Sequence, residues 1–289
     1  MYNAMWSADA SLLDGGGVSS SSSSLEFSRR WIALVNKYSI RELTYSSDKL
    51  VALAGLASRT AASSGWDYLA GHWRQDLEKT LLWTAGGMPS TCGGSRHAAY
   101  QAPSWSWASV HGVEIHANID PASSSTLEIV GASCTPRASV NPFGVVSDGK
   151  LVVKGTTASA KALERTDCYA SGCPASASRS EAIRAKGGSV KYMKALRVEG
   201  EGLSLDSGTA TYPDVSEFNE VSLEETYMFL KWLARRAEPL HGLVIRGLIL
   251  RPSKRVPGAY ERVAVHQYLN PGTKGAGISP YKRRKVIIV

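Results

Sequence analysis

Apolar residues recur every three to four positions in the first part of the chain and every two positions in the rest. In "LEFSRRWIALVNKYS", Trp31, Leu34, Val35 and Tyr38 share one helical face. A second helix follows "YSSD", where Ser47 or Asp48 can cap and Leu50, Leu53, Ala54 and Ala57 form the buried stripe. A third is predicted over residues 71–83, with Trp73, Leu77 and Leu81 inward and Arg74, Gln75, Glu78 and Lys79 outward. The loop "GGMPSTCGG" ends it. Beyond that loop the period becomes two. "SWSWASV", "VEIHANI", "TLEIVGAS", "KLVVKGTTA", "VKYMKALRV", "GLVIRGLILRP", "YERVAVHQYL" and "KVIIV" are strand-like, and "TYMFLKWLARR" fits strand or helix. In a strand, Trp105 and Trp107 would project from one face.

Long helical crossovers between these segments are missing, which favours antiparallel pairing. The expected fold is α+β: a small N-terminal helical module packed on a mainly antiparallel β-sandwich or β-barrel. The Gly/Ser-rich residues 1–24 read as a disordered tail, having little to bury. Residues 25–289 then form one domain, with the helical module at 25–95 and the β-rich part at 96–289. No apolar run approaches the ~18 residues that a membrane helix needs.

Charge is uneven. From Lys231 onward there are thirteen Lys/Arg against Glu238 and Glu261, which is +11; the whole chain is +8, so the preceding residues carry −3. "KRRK" at 282–285 reads as a solvated face, and without a recognised nucleic-acid motif no nucleic-acid partner is expected. Cys92, Cys134, Cys168 and Cys173 are few and scattered, as in a reduced cytoplasmic protein.

Trp31, Val35, Tyr38 and Ser39, then the run "RELTYSSDKLVALAGLA", "DYLAGHW", "LLW" and "APSWSWAS", occur in that order, followed near the end by "GLILRP", "YERVAV" and "VIIV". This set resembles the C-terminal region of fungal heterokaryon-incompatibility (HET) proteins, over residues 31–289. Nothing before Trp31 corresponds to the family's N-terminal HET domain, so the resemblance implies a fungal origin without carrying over the incompatibility activity. It also marks two departures: His72 stands where the family usually has an apolar residue, and Gln101 where arginine is common.

The chain shows no G-x-S-x-G elbow, phosphate loop or dinucleotide fingerprint, and His111, Glu114 and His116 are poorly spaced for a metal. Neither metal nor cofactor is therefore expected. Eight Trp and twelve Tyr against four Phe favour rings that carry a hydrogen-bonding tip, as ligand pockets do. Trp105 and Trp107 fit either the core or a cavity wall. The expected site has His72 as catalytic donor, with Trp73, Trp105, Trp107, Arg41, Asp48 and Gln101 around the substrate. Its function would be that of a cofactor-independent cyclase, isomerase or cycloaddition enzyme on an apolar fungal secondary metabolite. The alternative is a non-enzymatic remnant of a HET protein that binds another protein in self/non-self recognition.

Overall fold

The computed structural model describes residues 21–41, 43–86, 94–119, 124–163, 195–198, 210–214, 226–237, 242–270 and 282–289. The fold is α+β. Helix α1 (Ser21–Ser39) begins inside the serine run, earlier than residue 25, and buries Phe27, Trp31, Val35 and Tyr38. A 3-10 turn (Ser46–Lys49) leads into α2 (Val51–Ser64). Neither Ser47 nor Asp48 caps α2: its N-cap is Leu50, with no side-chain hydrogen bond. Gly65 closes the helix at φ 71°, donating to the Ala61 carbonyl.

The helix expected over residues 71–83 is replaced by a tight hairpin, β1 (Tyr68–Leu69) against β2 (His72–Trp73). Ala70 and Gly71 between them both have positive φ, 46° and 95°, as a two-residue hairpin loop of the primed type requires. That turn interrupts the helical spacing of Trp73 with Leu77 and Leu81; a 3-10 turn (Arg74–Asp76) and a single α-helical turn, α3 (Leu77–Thr80), follow. A second small antiparallel pair sets β3 (Thr84–Ala85) against β4 (Ile115–His116).

"SWSWAS" is not a strand. Ser106 N-caps a 3-10 turn, Trp107–Ser109, by accepting from the Ala108 amide at 3.0 Å, and it donates to the Ala70 carbonyl at 2.6 Å. Its hydroxyl competes locally with a strand ladder, so the alternation of small and large residues does not carry a strand period. The main sheet consequently starts at Ser124 among the described residues, not near residue 96.

That sheet comprises β5 (Ser124–Ser125), β6 (Glu128–Pro136), β7 (Val146–Leu163), β8 (Ala195–Val198), β9 (Ala210–Pro213), β10 (Thr226–Ala237), β11 (Gly242–Pro252), β12 (Tyr260–Asn270) and β13 (Lys282–Ile288). Its order is β5-β10-β11-β12-β13-β7-β6, and β10 also pairs β7. The pairing thus returns on itself through β7, β10, β11, β12 and β13, in the manner of a small barrel. Every pairing is antiparallel except β12 with β13, which meet at Tyr260 and Ile288. The ambiguous "TYMFLKWLARR" is strand β10, because it lies between β11 and β7 and buries Tyr227 to Leu230 together with Trp232. One contiguous buried cluster runs from Phe27 and Trp31 of α1 through Trp83, Trp105 and Trp107 to Phe229 and Ile288. No helix among the described residues is long and apolar enough to cross a membrane.

Candidate functional site

The tryptophans build the joint between the helical module and the sheet. Trp31 and Trp107 both donate to the Gly71 carbonyl at 2.9 Å; Trp83 donates to Trp105 O and Trp232 to Glu78 O, also at 2.9 Å. Trp73, Trp105 and Trp107 are fully buried. Each ring buries roughly 150–250 Å² of apolar surface, so these side chains position the fold.

Arg262 of β12 is the polar centre of that joint. Buried completely, it forks onto Asp214 (Nε to Oδ2 2.7 Å, Nη2 to Oδ1 2.9 Å) and donates to Leu81 O at 2.7 Å and to Trp83 O. Its guanidinium lies 3.6 Å from the Trp83 ring centre. The Arg262 amide donates to Ser104 Oγ, and Ser104 Oγ donates to Val289 O. One ion pair therefore ties α3, the "SWSWAS" turn and the barrel together.

His72 belongs to this interior. It is fully buried, its Nδ1 lies 3.1 Å from Thr80 Oγ1, and its Nε2 has no partner among the described residues. Burial, helped by the Arg262 charge, lowers its pKa to about 3, so the ring is neutral at ordinary pH. It faces neither of the two cavities described below, so it is not placed to donate a proton to a ligand there.

Those two cavities meet at His97. The larger, about 480 Å³, is lined by Ser39, Arg41, Ser46, Lys49, His111 and Glu114, among others. The smaller, about 290 Å³, is lined by Arg96, Tyr100, Gln101, Arg251, Arg255 and Glu261, among others. Gln101 and Ser46 bridge them, Nε2 to Oγ at 3.1 Å. Of the residues expected at the site, Arg41 lies in the larger cavity and Gln101 in the smaller. Asp48 is exposed, bonded to Ser47 Oγ at 3.3 Å. His72 and the three tryptophans stay in the core, so the expected set does not converge.

Sequence reasoning missed Lys49, hidden in "DKL" as an ordinary charge before a helix. The 3-10 turn directs it inward, where it is 5 % exposed. Nζ donates to Val110 O and lies 5.3 Å from the Trp107 ring centre; no carboxylate pairs with it among the described residues. Burial without an anion lowers its pKa to about 8. Tyr38 fixes the backbone there, its hydroxyl donating to Lys49 O at 2.9 Å. Across the cavity, His111 is held by a two-way backbone pairing with Ser95 and sits edge-on to His97, ring centres 4.3 Å apart. Burial, with the nearby Lys49 and His97 charges, lowers His111 to about 4. The cavity therefore presents a partly neutral amine and a neutral imidazole together.

His116 pairs with Glu114 at 3.3 Å and contacts Asn36, while His111 turns to His97; no group of three or more metal-binding side chains occurs among the described residues. Cys134 is free and half-buried, its thiol pushed up to about 12 by burial; Cys92, Cys168 and Cys173 lie outside the described residues. No protein-family model, curated protein or solved structure matches this chain.

Proposed function

We propose that the chain is a small-molecule enzyme whose reacting group is the Lys49 amine, isomerising or cyclising a carbonyl substrate in the larger cavity. The observation that carries this reading is a buried lysine in a cavity wall, with no carboxylate partner among the described residues and a neutral histidine nearby. Near neutral pH, a lysine titrating at about 8 holds roughly two orders of magnitude more free amine than a solvent lysine. Such an amine adds to a carbonyl carbon and expels water, leaving an iminium that withdraws electrons from the adjacent C–H. Neutral His111 can accept that proton and return it at another carbon; water then releases the product and restores Lys49. Arg41 and Glu114 supply polar contacts at the rim.

The substrate this cavity suits is more polar than the apolar metabolite expected from the aromatic content. HET ancestry stays part of the proposal: the residues that carry the resemblance, such as Trp31, Tyr38, Trp83, Trp105 and Trp107, are those that join helices to sheet, which is what a shared scaffold requires. The interaction-module reading has one observation in its favour. Ile40, Tyr45 and Val51, three of the six large hydrophobics exposed among the described residues, fall within residues 40–51.

Trapping tests the enzyme reading. The protein is incubated with pyruvate or cinnamaldehyde and sodium borohydride at pH 7, and modified lysines are mapped by mass spectrometry. Preferential adducts at Lys49, lost in Lys49→Arg, are expected. Labelling spread evenly over surface lysines would leave the interaction module as the better reading.

A further inference from the structure

We propose that the smaller cavity is a binding site for a compact anion, a phosphate or carboxylate group, gripped by Arg96, Arg251 and Arg255. This stands independently of the chemistry assigned to Lys49. Three guanidiniums line the cavity, and the one side-chain carboxylate in that lining is Glu261. Asp148 reaches Arg255 at 3.0 Å, but that pair is half-exposed, at 40 % and 54 %, and such pairs hold weakly in water.

The arginines are set in place by contacts that leave donors over. Arg251 places Nε and Nη2 on Glu261 Oε2 at 3.2 and 3.1 Å, and Ser253 fixes the other oxygen of that carboxylate at 2.9 Å. Arg255 lies over the Tyr100 ring, 4.6 Å from its centre. Arg96 donates from Nη2 to Arg262 O at 2.7 Å, while its Nε has no partner among the described residues. A guanidinium has five N–H donors in a rigid fork suited to phosphate and carboxylate oxygens, and these contacts use only one or two on each. The Tyr100 hydroxyl, in the same lining, is also buried without a partner among the described residues. Burial raises its pKa, so it remains a donor. Burial lowers the Arg96 pKa; nearby Asp214 and Glu261 favour its charge while Arg251 and Arg262 oppose it, and an anion in the cavity would add to the favourable side.

Inorganic phosphate is the probe, titrated by calorimetry at constant ionic strength with chloride as the balancing salt. Saturable binding is expected, weakened at least tenfold in Arg96→Gln and severalfold in Arg255→Gln. Exposed Lys285→Gln should not change it. Arg255 is partly exposed, so its variant keeps the test decisive if Arg96→Gln fails to fold. Lys49→Arg should bind phosphate normally, which separates this site from the amine chemistry. Equal binding by both arginine variants, or heat that chloride reproduces, would overturn the proposal.

Discussion

Replacing Gly71 with alanine probes the joint at its tightest point. Gly71 sits at φ 95°, and a Cβ there would come within 2.6 Å of Trp107 Nε1 and 2.8 Å of Trp107 Cε2. The left-handed backbone costs an L-residue about 1–2 kcal/mol. Forcing the indole aside adds about 1–3 kcal/mol, the usual range for overpacking. Trp107 cannot retreat freely, because its N–H and that of Trp31 share the Gly71 carbonyl. Together the loss is roughly 2–5 kcal/mol, or about 5–15 °C in Tm for a chain of this size. Gly65→Ala is the matched control: its φ is 71°, and nothing lies within 4 Å of the added carbon. It should lose only the backbone part, roughly 2–6 °C. Thermal unfolding followed by near-UV circular dichroism reads both, and the tryptophan signal of the folded Gly71→Ala protein should also change. Equal Tm losses in the two variants would refute the claim that the Trp31–Gly71–Trp107 junction is close-packed.

Three further outcomes follow from buried polar groups. His72 titrates at about 3 when folded and near 6.5 when unfolded, so its stabilisation is present above pH 6.5 and lost as pH falls through 3. The Tm of His72→Leu should therefore fall less steeply across that acid range than that of the parent. Buried Asp76 is raised by burial to about 7, so its contribution is present below about 3.8 and lost as pH rises through 7; Asp76→Asn should flatten Tm between pH 4 and 8. Arg262→Leu should cost about 3–5 kcal/mol by stranding Asp214. Chemical denaturation should show the Arg262→Leu/Asp214→Leu double variant less destabilised than the sum of the two single changes.

Helix α1 was legible because Trp31, Leu34, Val35 and Tyr38 repeat over a long stretch, and the strands of the main sheet because period-two runs are punctuated by turns. The 71–83 segment was not, since its apolar spacing gave no weight to the Ala70–Gly71 reversal. "SWSWAS" misled because the hydroxyls of Ser104 and Ser106 serve the carbonyls of Val289 and Ala70 rather than solvent. Arg262 lies in "YERVAV", where strand alternation puts it on the face opposite Val263 and Val265, and nothing local shows that both faces of β12 are buried there. The cavities draw on segments far apart in the chain, as when Arg96 reaches Arg262 across 166 positions, and local spacing carries no trace of such a meeting.

The reactivity proposed for the Lys49 amine is tested most directly by its titration. Selective ¹³C NMR of the lysine Cε resonances, assigned by loss in Lys49→Arg, should show Lys49 titrating near pH 8, well apart from the solvent lysines. A Lys49 midpoint near 10.5, the ordinary value for a lysine in water, would mean that its ammonium is solvated or paired, and the reacting group would have to be sought elsewhere.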